Sequence, residues 1–162
     1  MKLIADAMLG RLAKWLRILG FDVLYYPDID DREVVRIARE QERTILTRDT
    51  ELSKRKGLPG VVFIDKDDVF DQLALISTRL DINQAAFSGR CAACNGLLDE
   101  VPQKDEVRDL VPDFIYLNFS GFRRCRECGK VYWEGSHHKA IRDKVKGVLS
   151  AAAERPSEEG RH

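Results

Sequence analysis

The sequence predicts an α/β fold with a mostly parallel sheet, followed by a small cysteine-bearing module and a C-terminal helix. Three observations carry that prediction. The first eighty residues alternate short β-like apolar runs with stretches of helical periodicity, the pattern of successive βαβ units. Asp residues follow those runs directly, at the edge where open α/β folds do their chemistry. All four cysteines lie between residues 91 and 128, as two Cys-x-x-Cys pairs thirty residues apart.

Taken along the chain, KLIA at 2–5 is the first strand and Asp6 closes it. Residues 7–19 then put Leu9, Leu12, Leu16 and Leu19 on one helical face with Ala13, and Gly20 supplies the stop. Arg11, Lys14 and Arg17 fall on the remaining surface of that helix. DVLYY at 22–26 is the second strand, and a second helix is expected over about 31–42, with Val34, Val35, Ile37 and Ala38 facing the sheet and Asp30 and Glu33 at capping-box spacing. TILT at 44–47 is the third strand, followed by a short helix over 50–56 that ends at Gly57. VVFI at 61–64 is the fourth strand, and Val69, Leu73, Ile76 and Leu80 mark a helix over 68–80. Residues 81–90 link to the cysteine module. Beyond Cys128 and VYW, a basic helix is expected over 137–149 with a thin apolar stripe of Ile141, Val145 and Leu149, and the residues from Ser150 onward are expected to fray. The resulting division is a sheet domain over 1–85, the cysteine module with its basic helix over 86–150, and a disordered tail over 151–162.

The formal net charge is zero, so no global attraction to a polyanion is implied. Residues 122–146 nevertheless hold eight Lys or Arg against three acids, a local basic patch. Asp6 interrupts the first apolar residues, no run approaches the roughly 18 apolar residues of a membrane span, and the thiols are paired in metal-site fashion. A cytoplasmic protein with no membrane association is the expectation.

Cys91-Ala-Ala-Cys94 and Cys125-Arg-Glu-Cys128 are each followed by turn residues, Asn95-Gly96 and Gly129-Lys130, as in two zinc knuckles. Four thiolates make a closed tetrahedral Zn²⁺ site, structural in kind, in a module too small for a sufficient core. A redox dithiol is the alternative. Asp6 and Asp49, about forty positions apart, are candidate hard ligands for Mg²⁺ or Mn²⁺ if adjacent strands bring them together, although each also suits a helix N-cap. In the DIDD run at 28–31, Asp31 is the candidate ligand; of Asp65, Asp67 and Asp68 after the fourth strand, Asp68 is preferred, with capping the competing role. Like charges gathered on one edge raise one another's pKa, and a bound cation relieves this. A metal-activated water cleaves a phosphodiester with no side-chain nucleophile, which suits a stretch, residues 1–90, that contains no Cys or His.

Arg11, Lys14 and Arg48 stand close in sequence to the two leading aspartates and suit phosphate contacts, with a solvated helix face as the alternative, especially for Lys14. In the C-terminal module, Phe122, Arg123, Arg124, Arg126, Tyr132, Trp133, His137 and His138 mix cations with flat rings, a combination suited to single-stranded or looped RNA. Packing of the small core is the competing role for Tyr132 and the expected one for Trp133. Trp15 is expected in the core or at an interface. No Gly-rich phosphate loop follows the first strand.

With these residues in view, the chain resembles the Mut-seven C-terminal RNase domain family, PIN-like nucleases joined to a C-terminal zinc ribbon. The resemblance runs to about residue 149 and is carried by LIADAMLGRLAKWLRILGFDV at 3–23, DDREVVRIAREQERTILTRDTEL at 30–52, DDVFDQL at 67–73, RCAACNG at 90–96 and RCRECGKVYWEGSHH at 124–138. It implies a Rossmann-like, PIN-like three-layer α/β/α fold and a metal-dependent ribonuclease, with the acidic site on Asp6, Asp31 and Asp49. The fourth acid falls on Asp67 or Asp68. RNA is then the expected partner, and a homodimer built around the Trp15 helix is a further expectation. Two other classes compete: a non-catalytic RNA-binding module whose acids only cap helices, and a phosphoacceptor or phosphatase-like domain, against which Asp6 stands alone between Ala5 and Ala7.

Overall fold

The computed structural model describes residues 1–82, 87 and 89–154; the expected domain boundary near residue 85 and residues 155–162 of the tail lie outside the described residues. Strands β1 (Lys2–Ala5), β2 (Asp22–Leu24), β3 (Thr44–Thr47) and β4 (Val61–Phe63) form a parallel sheet in the order β2-β1-β3-β4. Leu3 pairs with Val23 on one side and Thr44 on the other, and Leu46 pairs with Val62. Side chains alternate across a strand, so the two faces acquire different cores. Leu3, Ala5 and Leu46 join one cluster with Leu12, Leu16, Leu73, Ile76 and Val145. Ile4 and Ile45 join the other with Val34, Ile37, Ala38 and Leu52.

The first cluster is covered by α1 (Gly10–Ile18), α4 (Val69–Arg79) and α6 (Ser136–Ala153), the second by α2 (Asp31–Gln41) and α3 (Thr50–Ser53). This is the expected three-layer α/β/α arrangement. Trp15 packs against the first cluster, its ring 5.4 Å from that of Phe70.

Several boundaries differ from the expectation. The first helix opens as a 3-10 turn over Ala7–Leu9 before α1 begins at Gly10, where a Cβ would stand 2.7 Å from the Tyr25 hydroxyl. β2 and β4 end at Leu24 and Phe63, short of Tyr26 and Ile64. α3 is a single turn that ends at Ser53, short of residue 56, and Gly57 at φ 73° lies beyond it. α6 continues through Ala153, past the expected fraying point, since Ala152 is buried. Arg17, expected on the surface, is 6% exposed. α6 lies against α4, with Lys144 4.0 Å over the Phe70 ring and Val145 in the sheet core.

The cysteine module is built on an antiparallel sheet of β5 (Leu98–Glu100), β6 (Arg123–Cys125) and β7 (Val131–Tyr132). Its core is three buried residues, Val107, Phe122 and Val131, with Trp133 packed against them, 6.4 Å from Phe122. The helix α5 (Asp113–Asn118) buries no residue fully. A core this small needs a staple. Among the described residues, no helix is long and apolar enough to cross a membrane.

Candidate active site and cysteine centre

In the order β2-β1-β3-β4, the chain leaves β1 toward one edge of the sheet and β3 toward the other, so the topological switch point lies between β1 and β3. Asp6 follows β1 and Asp49 lies two residues past β3, which places both at that point. Thr47, fully buried at the end of β3, joins them: its Oγ1 donates to Asp6 Oδ2 at 2.6 Å and accepts from the Asp49 backbone N–H at 2.9 Å. Asp6 also accepts from Arg48 N through Oδ2 at 2.8 Å and from Met8 N through Oδ1 at 2.9 Å. A carboxylate offers about four acceptor sites, so three donors leave about one for another partner. Asp49 Oδ1 caps α3, accepting from Leu52 N at 2.8 Å.

The other acids are spread along the same edge. Asp31 is the first residue of α2; Asp30, not Asp31, is the N-cap, accepting from Glu33 N at 2.9 Å. Asp68 caps α4, its Oδ1 accepting from Phe70 N and Asp71 N. Asp67 reaches back to β3, pairing with Arg48 at 2.5 Å. Arg48 thus spans the gap between the β3 and β4 ends, while Arg11 and Lys14 are exposed on α1. Among the described residues, the acids do not close into a group that would hold one ion with three ligands. Mg²⁺ keeps several waters and is commonly bound through one or two carboxylates, so three converging acids are not a requirement for such an ion.

The four cysteines do close. All four are free thiols, and their sulfurs lie within 4.8 Å of one another. Cys91 Sγ is 3.7 Å from Cys128 Sγ and Cys94 Sγ is 3.4 Å from Cys125 Sγ. Zn–S bonds of about 2.3 Å in a tetrahedron put sulfurs roughly 3.8 Å apart, so the donor set fits Zn²⁺ in identity and spacing. Burial pushes the Cys94 thiol up to about 12. Burial raises Cys91 too, but hydrogen bonds from the Tyr132 hydroxyl and the backbone N–H groups of Cys94 and Ala93 outweigh it and bring that thiol down to about 7. A cation held at the centre would favour the thiolate form of all four sulfurs.

Of the residues expected to meet RNA, Arg124 is exposed and donates to Gly129 O, and Arg123 is half-buried, 3.7 Å from Glu100. His138 is exposed in the first turn of α6; the side chain of His137 lies outside the described residues. Trp133 packs the small core, as expected.

Sequence reasoning missed Thr47, whose signal was a hydroxyl at the last position of an otherwise apolar strand. It also missed how the module sits on the sheet. Arg17 donates from Nε to Val23 O at 2.9 Å and from Nη1 to Ala92 O and Ala93 O at 3.2 and 3.1 Å. Asn95 accepts from Val23 N at 3.0 Å and donates to Asp22 Oδ1 at 2.8 Å. Asp22 in turn pairs with Arg43, which also donates to Leu3 O.

A parallel sheet with acids at its switch point, joined to a four-cysteine ribbon, defines a class of α/β protein with a nuclease-like carboxyl edge. The family model described as Mut7-C RNAse domain matches residues 1–145. The chain belongs to that family, and its role is of the nuclease, RNA-related kind. No curated protein and no solved structure matches it.

Proposed function

We propose that the chain is a divalent-metal-dependent ribonuclease that hydrolyses internal phosphodiester bonds of RNA. The observation that carries this reading is the pair of carboxylates at the switch point, Asp6 and Asp49, held in register by the buried Thr47. Asp6 and Asp49 would hold Mg²⁺ or Mn²⁺, which supplies Lewis-acid activation of water and neutralises charge on the leaving oxygen. Asp31, at the first position of α2, orients the attacking water or accepts its proton. From the β4 side, Asp67 or Asp68 contributes a further carboxylate. Arg48 sits beside Asp6 through its own backbone N–H and presents a guanidinium to a phosphate, at the expense of its pair with Asp67. Arg11 and Lys14 extend the cationic border, and Arg123, Arg124, His137 and His138 of the ribbon contact the RNA backbone.

A second reading is favoured by one observation: Asp6, Asp49 and Asp68 each accept a cap hydrogen bond from a following turn. In that reading the acids are structural and the chain only binds RNA. Incubation of the full chain with end-labelled RNA, in Mn²⁺ or in EDTA, beside Asp49→Asn, decides between them. Cleavage that needs both the ion and Asp49 supports the nuclease. Binding without cleavage in both proteins sinks it.

A further inference from the structure

We propose that Arg17, from the parallel-sheet unit, is the positioning and charge-compensating residue of the four-cysteine site, so that metal binding there is linked to the seating of the ribbon on β2. Arg17 leaves α1 into a buried position, 6% exposed, where its hydrogen bonds go to carbonyl oxygens of Val23, Ala92 and Ala93. Ala92 and Ala93 are the two residues inside the first Cys-x-x-Cys. The opposite ends of the same two peptide groups, the N–H of Ala93 and of Cys94, are the backbone groups that favour the Cys91 thiolate. Each peptide is therefore a bridge, with the guanidinium at its carbonyl end and the sulfur at its N–H end. A cation on the carbonyl polarises the amide and strengthens the bond its N–H makes to a thiolate.

Charge argues in the same direction. The hydrogen bonds of the buried guanidinium go to neutral carbonyls, and against the cost of burial the charges that reach it are those of Cys94 and Cys91 first, then Tyr26 and Asp22. A divalent ion held by four thiolates leaves a surplus of negative charge. Placing Arg17 behind the knuckle answers both needs at once.

The contact also closes the free edge of the sheet. β2 is an edge strand, and Val23 would leave its N–H and C=O unpaired on that side. Arg17 takes the carbonyl and Asn95 takes the N–H. Asn95 can do so because the knuckle turns it to φ 72°, a conformation Asn tolerates better than most residues. The metal-bound turn and the sheet edge thus order one another.

The test is zinc affinity by chelator competition on the full chain, for wild type, Arg17→Met, Arg17→Lys and Arg126→Ala. Arg126 lies inside the second Cys-x-x-Cys but points to Asp99, so it controls for nearby charge alone. Loss of a residue supporting metal ligands costs about 10–100-fold in affinity. That loss is expected for Arg17→Met, a smaller one for Arg17→Lys, and none for Arg126→Ala. In wild type, the Arg17 Nε–H and Val23 N–H should exchange slowly with zinc bound and lose protection when zinc is removed. Wild-type affinity in both Arg17 variants overturns the proposal, as does an equal loss in Arg126→Ala or protection that persists without zinc. Where Arg17→Met does not fold, Arg17→Lys decides: reduced affinity supports the proposal and unchanged affinity overturns it.

Discussion

Replacing Asp49 or Asp6 by Asn separates the structural work of these carboxylates from their chemistry, because the two are held differently. Asp49 makes one cap bond, through Oδ1 to Leu52 N, and Asn caps helices about as well as Asp. Asp49→Asn should therefore change stability by less than about 0.5 kcal/mol. Asp6 accepts three donors on two oxygens at a position only 5% exposed. An amide keeps one oxygen. With it turned toward Thr47 and Arg48, the –NH2 confronts Met8 N–H; turned the other way, it confronts Arg48 N–H. Either way a backbone donor loses its acceptor, at about 1–3 kcal/mol. At about 2–4 °C per kcal/mol for a chain of this size, Asp6→Asn should melt roughly 2–12 °C lower, and Asp49→Asn within about 2 °C of wild type. Both should lose metal-dependent cleavage. Calorimetry with zinc present, beside a cleavage assay in Mn²⁺, measures both quantities. Wild-type cleavage by Asp49→Asn refutes the ligand role, and destabilisation matching that of Asp6→Asn refutes the separation itself.

Three further outcomes are expected. Burial raises the Asp22 carboxyl, but hydrogen bonds from Arg43 and Asn95 and the charges of Arg43 and Arg90 outweigh it, so its folded pKa is depressed. A depressed carboxylate contributes stability that is present above its unfolded value of about 3.9 and is lost as pH falls through that value toward the folded one. Denaturant titrations from about pH 6 to 3 should show a fall that Asp22→Asn flattens; a variant curve parallel to wild type defeats this assignment. For the fourth acid, Asp68→Ala should cost about 1 kcal/mol by uncapping α4, whereas Asp68→Asn should cost nothing measurable. Asp67→Asn removes an exposed ion pair worth less than about 1 kcal/mol, so cleavage rates of the two Asn variants identify the participating acid free of folding effects. Gly10→Ala drives a Cβ to 2.7 Å from the Tyr25 hydroxyl and should displace that ring from its bond to Ala7 O, at about 1–3 kcal/mol by thermal unfolding.

The parts of the fold that local pattern determines were readable from residues. β1 and β3 match their expected spans, and Asp30 caps α2 where its spacing to Glu33 implied. The parts set by distant contacts were not. Arg17 sits beside Leu16 on a helix whose apolar stripe is Leu12, Leu16 and Leu19, and helical periodicity alone assigns it to solvent. What buries it is a turn seventy-five residues away. The three strands of the ribbon are two or three residues long, too short for a period-two signal. Thr47 is no carboxylate, thiol or cation, and its part is to hold the Asp6 side chain, which only the pairing of β1 with β3 reveals.

Capping and ion binding need not compete for the same aspartates. A parallel strand delivers its last carboxylate to the start of the next turn, where backbone N–H groups stand unpaired. Those donors fix the rotamer of Asp6 through both oxygens and that of Asp49 through Oδ1, so the lone pairs that an ion would use under the proposed function are held in place. A ligand already held in its working geometry loses little entropy on binding. The partial positive charge at the N-termini of α2 and α4 also moderates repulsion among the acids placed there. On this argument the cap bonds are the supporting shell of the site, and weakening them should reduce metal affinity in proportion to the freedom they release.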